Sequence, residues 1–142
     1  MGYHIRYKDR SMVISGDTTP SAHVQREAQG VDLLVHEAMS TELMTFLQEG
    51  AHEAKRDKLE QLMKDIVNYH TTPQEAATIA SKANVNFLLL NHVAPPLPLP
   101  GLVDVFLKGT AEIFKGKIQV AKDGDMLSLP AGQKVIQTSN RF

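Results

Sequence analysis

Asn86-Phe87-Leu88-Leu89-Leu90-Asn91-His92-Val93-Ala94-Pro95-Pro96 is the stretch on which the fold turns. Phe87 to Leu90 is a short unbroken apolar run, the pattern of a strand buried on both faces. Asn91 and His92 follow at its carboxyl end, and Pro95-Pro96 stops any continuation of strand or helix. His92 is therefore expected at the lip of a sheet, where open α/β folds keep their ligands. Two further stretches share the design. Met12-Val13-Ile14 leads into Ser15-Gly16-Asp17, and Leu33-Leu34-Val35 leads into His36-Glu37. Each apolar strand delivers a metal-capable or proton-carrying side chain at its end, so the three together predict a shared rim.

The segments around these strands predict how they are joined. Tyr3 to Lys8 alternates with a period of two, which argues a strand with one buried face, and Ser11 to Ser15 returns as its hairpin partner. Thr19-Pro20 reads as an N-cap with proline at the first helical position, so a short helix runs to about Gly30. The next strand, Asp32 to His36, follows through that helix and is expected to lie parallel. Met39 to Tyr69 is expected to be helical in two pieces broken near Gly50. In the second piece Leu59, Leu62, Met63, Ile66 and Val67 form one apolar stripe, and the charges around it read as a solvated face.

Thr72-Pro73-Gln74-Glu75 combines a capping box with proline at the first helical position. The helix it starts has a narrow face of Ala76, Ile79, Ala80 and Ala83, suited to close packing on a sheet. Val103, Phe106, Leu107, Thr110 and Phe114 predict another amphipathic helix. Lys117–Ala121 and Met126–Leu129 are expected to pair as a hairpin around Asp123-Gly124. The polar tail, residues 130–142, is expected to be loosely held.

The 142 residues are expected to form a single domain, 1–142. A hydrophobic share of 42% and a charged share of 22% are those of a soluble globular chain. The formal net charge of −1 provides no broad basic field, so nucleic-acid binding is not expected from charge. With no cysteine, any metal is left to the six histidines and the carboxylates. The amino terminus has no apolar signal region and no stretch approaches membrane-spanning length, so a cytoplasmic protein without membrane attachment is expected.

Several side chains qualify for chemistry. Asp17, on a strand-to-helix turn beside a glycine, could bridge metal ions or act as an Asx residue in the turn. His92 could be a neutral imidazole ligand or a satisfied strand-end histidine. His70 precedes a capped helix start that favours an anion, and could protonate a leaving oxygen. His36 and Glu37 are expected to form a buried hydrogen-bonded pair that holds the rim rather than ligating directly. His4, His23 and His52 sit in exposed-looking contexts and carry no functional expectation.

Four motifs, in order and spacing, give these residues a further meaning. Ser15-Gly16-Asp17-Thr18, Asp32-Leu33-Leu34-Val35-His36-Glu37-Ala38, His70-Thr71-Thr72-Pro73 with Glu75-Ala76-Ala77, and Leu90-Asn91-His92 span most of the chain from Tyr3 to about Leu129. Together they resemble the carboxyl-terminal half of the metallo-β-lactamase superfamily, in its ribonuclease Z and arylsulfatase-like branch. The resemblance implies an α/β fold, half of an αβ/βα sandwich with a mixed sheet and helices on one face. It implies that Asp17 bridges two zinc (or manganese) ions, that His92 completes the second site and that His70 lies by the scissile group. The reaction it implies is hydrolysis of a phosphodiester or sulfate ester by a metal-activated water.

The superfamily's leading His-x-His-x-Asp-His motif, which supplies most metal ligands, does not occur in this sequence. Asp17 and His92 are two ligands where a catalytic zinc takes three from protein. The expectation is half of an enzyme: a truncated reading frame, an excised domain or a piece of a split protein, with little or no turnover alone. Its second sheet face would be bare, and two copies, or this chain and a missing amino-terminal half, are expected to pair there. The alternative is a non-enzymatic dimerising module that keeps the half-fold without a competent metal site.

Overall fold

The Phe87 run lies at the heart of a five-stranded sheet in the computed structural model, which describes residues 1–99 and 101–142. Strands β1 (Tyr3–Tyr7), β2 (Arg10–Ile14), β3 (Leu33–Met39), β4 (Phe87–Ala94) and β5 (Lys117–Val120) lie side by side in chain order. β1 and β2 are antiparallel; every other pairing is parallel, so the sheet is mixed as expected. The parallel steps arise because helices intervene. α1 (Ala22–Glu27) links β2 to β3, and α4 (Pro73–Lys82) leads into β4.

One face carries the main core. Val13, Leu34, Leu88 and Leu90 meet Ala76, Ala77, Ile79 and Ala80 of α4 and Ala83 at its end, with Phe106 of the short helix α5 (Leu102–Phe106) and Phe114, directly after α6 (Thr110–Ile113). The small side chains of α4 let its axis approach the sheet, as their spacing implied. Its start is the expected capping box: Thr72 Oγ1 accepts the Glu75 N–H, and the Glu75 carboxylate accepts the Thr72 N–H at 2.8 Å.

The other face holds Leu33, Val35, Phe87 and Leu89, and here the carboxyl-terminal segment departs from expectation. Lys117–Val120 pairs with β4 rather than with Met126–Leu129. β6 (Asp125–Ser128) pairs instead with β7 (Gln137–Asn140) in a separate two-stranded sheet. The cause is Asp125, whose carboxylate accepts the Lys122 N–H at 3.0 Å and also meets Gln119 and Asn140, turning the chain off the main sheet. Leu127, Leu129 and Ile136 then lie over the Phe87 face. The tail is tied at its start as well: the Gly132 N–H donates to Asp9 at 3.0 Å and the Arg10 guanidinium to the Gln133 carbonyl.

The second face is thus covered in part by the chain itself. What stays open is the β1 strip, where Tyr3, Ile5 and Tyr7 are 60%, 45% and 65% exposed. The period-two alternation of β1 shows at this edge as one exposed face, Tyr3, Ile5 and Tyr7, and an opposite face on which His4 meets Glu27 of α1 at 3.1 Å.

The helical arm is α2 (Thr41–Glu53), α3 (Asp57–Ile66) and a 3-10 turn (Val67–Tyr69). The break falls at Ala54–Arg56 rather than near Gly50, because Lys55 takes a left-handed φ of 54° and the Arg56 N–H closes on the Ala51 carbonyl at 2.8 Å, a Schellman-type end. The α3 stripe packs on α2, and no α3 residue is buried.

Stability should follow this partition. Leu88→Ala, at a side chain with no solvent exposure, is expected to lower the urea-unfolding free energy by about 2–5 kcal/mol. Leu62→Ala on the arm should change it by less than about 1 kcal/mol.

Candidate functional site

The rim is assembled at the carboxyl ends of β2, β3 and β4. After β2 the Ser15 N–H donates to the Val35 carbonyl at 2.9 Å, keeping the chain beside β3 for one more residue. Gly16 then turns it with a φ of 63°; a Cβ there would sit 2.5 Å from the Met1 carbonyl oxygen, so only glycine fits. Asp17 follows on the solvent side.

Glu37, on β3, is 1% exposed and is the most connected side chain of the rim. Its Oε1 accepts the Thr71 N–H at 2.8 Å and the Thr18 N–H at 3.3 Å, and its Oε2 accepts from His70 Nδ1 at 3.2 Å. Its own N–H donates to Ser15 Oγ at 3.2 Å. Thr71 Oγ1 donates to the Thr18 carbonyl at 2.6 Å, and the Met39 N–H donates to the Thr71 carbonyl at 2.9 Å. The turn after β2, the end of β3 and the segment before α4 are thereby laced together.

His92 reaches the rim through a bulge. β3 and β4 run in register to Glu37 opposite Asn91; Ala38 then faces Val93, leaving His92 as the extra residue with a φ of 44°. A bulge re-aims a side chain in this way. His92 Nδ1 lies 2.9 Å from Asp17 Oδ1, and the His70 and His92 rings are 5.6 Å apart between centroids. Ligand atoms of Glu37, His70 and His92 all lie within 4.8 Å of one another.

Asp17, His70 and His92 therefore gather on one border of the sheet, with Glu37 behind them. His36 does not join them. It projects from the opposite side of β3, with no solvent exposure, and its Nδ1 donates to the backbone carbonyl of Glu37 at 2.8 Å. The buried hydrogen bond between His36 and Glu37 runs through the Glu37 backbone carbonyl and not its carboxylate, because successive strand residues point to opposite faces. Burial pushes the His36 pKa below its ordinary value, against the raising effects of the Glu37 carbonyl and charge, and its Nε2 has no partner among the described residues. Sequence reading passed over Thr18 and Thr71, whose backbone N–H groups satisfy Glu37. The signal for Thr71 was its place directly before a helix cap.

The donors suit a divalent cation of borderline softness: an imidazole and a carboxylate meet at the solvent edge, with a second imidazole alongside. Both Glu37 oxygens are already engaged, so Glu37 orients His70 rather than offering a free ligand. Asp17 and His92, 63% and 52% exposed, pair with each other at the solvent edge. They fit one open side of such a site.

No family model matches the chain. Ribonuclease Z of Mycobacterium tuberculosis (strain H37Rv) is 32% identical over 123 residues, covering 87% of this chain and 41% of that protein. Ribonuclease Z of Mycolicibacterium paratuberculosis is 28% identical over 123 residues, covering 87% of this chain and 40% of the relative. The chain spans half or less of the length of these curated relatives, from 39% to 50%. Among solved structures, the metallo-β-lactamase fold protein YhfI of Bacillus subtilis matches with a TM-score of 0.56 at 19% identity, covering 92% of this chain and 41% of YhfI. That likeness is one of fold. Among the described residues no helix is long and apolar enough to cross a membrane.

The buried His36 sets a pH dependence. Its folded pKa lies below the unfolded value of 6.5, so the unfolded chain takes up a proton first, and stability is lost as pH falls through about 6.5 toward the folded pKa. Thermal midpoints at about pH 7.5 and 5.5 should differ less in His36→Gln than in the wild type.

Proposed function

We propose that this chain, a partial member of the metallo-β-lactamase fold with ribonuclease Z among its relatives, supplies one side of a metal-dependent hydrolase centre that cleaves phosphodiesters. The convergence of Asp17, His70 and His92 on one rim carries this reading. RNA is the favoured substrate class, because the relatives are named as ribonucleases; a sulfate ester is the other class the reading admits. The expectation against nucleic acid rested on net charge, and a chain that provides one side of a centre can leave RNA gripping to its partner.

In this reading Asp17 and His92 hold zinc or manganese. The chemistry such an ion supplies is activation of water as a nucleophile at neutral pH. In its imidazolium form His70, with Nδ1–H held by the Glu37 carboxylate, would pass its Nε2 proton to the leaving oxygen and be left as the neutral Nδ1–H imidazole. Thr71 and Thr18 hold the Glu37 carboxylate in place by donating their backbone N–H groups to its Oε1. Residues 1–142 act as a single cytoplasmic domain, completed by an amino-terminal half or by a second copy across the β1 strip.

The exposed Tyr3, Ile5 and Tyr7 favour a second reading, a dimerising module without a competent metal site. Metal analysis of the purified chain separates the two. The hydrolase reading expects zinc or manganese bound by the wild type and lost in Asp17→Ala and His92→Ala. It expects turnover of bis(p-nitrophenyl) phosphate near background for the chain alone, rising when the amino-terminal half of a ribonuclease Z relative is added. Metal-free protein that stays inactive with that half present would leave the dimerising module.

A further inference from the structure

Away from the rim, a cavity of about 280 Å³ opens between the β1–β2 hairpin and α1. Val13 and Val24 form apolar walls, and His4, His23 and Glu27 form a polar border. The hydrogen bonds around that border fix the state of each group. Arg6 Nε donates to His4 Nε2 at 3.1 Å, so His4 carries its proton on Nδ1, which donates to Glu27 Oε2 at 3.1 Å. His23 Nδ1 lies 3.3 Å from Arg26 Nη2. A guanidinium only donates, so His23 keeps an N–H on Nε2. The cavity is thus bordered by a carboxylate with Oε1 free of side-chain partners and by an imidazole N–H donor.

That combination selects the ligand class. A phosphate in the cavity would meet the Glu27 carboxylate, whose ionised form the His4 hydrogen bond favours. A metal ion would find both His4 nitrogens engaged and Arg6 beside them. A flat heteroaromatic ring fits instead, with apolar walls for its faces and an acceptor and a donor for its edge; unstacked bases of single-stranded RNA are read in this way. Ser15 also lines the cavity, two residues before Asp17. Two residues of extended chain span at most about 7 Å, so the cavity adjoins the rim.

We propose that this cavity binds the base of a nucleotide flanking the scissile phosphodiester, with Glu27 accepting from a base amino or imino group and His23 Nε2–H donating to a ring nitrogen or carbonyl. The proposal rests on the phosphodiesterase reading above for the role of the bound nucleotide, but binding itself is measured without metal or turnover. Amide NMR titrations of the full chain would use the four ribonucleoside 5′-monophosphates and, as a baseless control, ribose 5-phosphate. The nucleotides should shift His23, Val24 and Glu27 and bind about tenfold or more tighter than ribose 5-phosphate. His23→Ala and Glu27→Gln should each weaken nucleotide binding about tenfold. Equal binding of ribose 5-phosphate, shifts confined to other regions, or unchanged affinity in both variants would overturn the proposal.

The two readings fail separately. Nucleotide binding at His23 and Glu27 beside a complemented centre that never turns over retires the hydrolase and supports the cavity. Turnover of an oligoribonucleotide with KM unchanged in both variants retires the cavity alone.

Discussion

The Glu37 carboxylate is the constraint from which the rim follows. A carboxylate 1% exposed costs several kcal/mol to bury unless hydrogen bonds replace its hydration. β3 does not supply them: among its own donors the Glu37 N–H goes to Ser15 Oγ and the Met39 N–H to the Thr71 carbonyl. The donors come instead from Thr18, in the turn after β2, and from His70 and Thr71, ahead of α4. Satisfying one buried charge therefore fixes two segments distant in sequence. The turn that carries Asp17 and the imidazole of His70 are placed by the same requirement.

Much of this architecture can be read from local sequence because its causes are local. The apolar runs at Met12, Leu33 and Phe87, the Thr72 capping box and the alanine face of α4 each state their role within a few residues, and the structure follows them. The strand-end positions of Asp17, Glu37 and His92 follow for the same reason. What escapes is set by partners elsewhere in the chain. The bulge that aims His92 exists only against β3, whose Glu37 and Ala38 face Asn91 and Val93. The side of β3 on which His36 and Glu37 fall depends on which residue first faces the helices, and adjacency in sequence does not say that their hydrogen bond runs through the Glu37 backbone. The end of α2 at Lys55 needs a left-handed backbone that a lysine does not advertise, whereas Gly50 does and stays helical.

The carboxyl-terminal segment is the largest such case. Gln137–Asn140 is polar and fully exposed, so nothing in its composition announces a strand. Its pairing is driven from the other side, by Leu127, Leu129 and Ile136 seeking the Phe87 face. Asp9 and Arg10 then hold its near end. Arg10 is itself 4% exposed, with its Nη2 3.4 Å from the Asp32 carboxylate, so the clasp is anchored in the sheet rather than at the surface. Any second layer brought by a partner must fit around this cover and not over a bare face, which directs it to β1.

The same contrast runs through the site. Glu37, Thr71 and His36 are locked among strands and helix, while Asp17 and His92 lie on a turn and a bulge, joined by a single 2.9 Å approach. Ligands held this loosely must be ordered when an ion binds, and that ordering entropy is subtracted from the affinity. A partner that packs against the rim would carry out the ordering beforehand, so affinity for metal and affinity for the partner are linked and each strengthens the other. The locked side would change little on assembly. Under the proposed hydrolase reading, the firmly held part of the centre would be the Glu37–His70 pair that handles the proton, and the part left for a partner to order would be the Asp17–His92 pair that holds the metal.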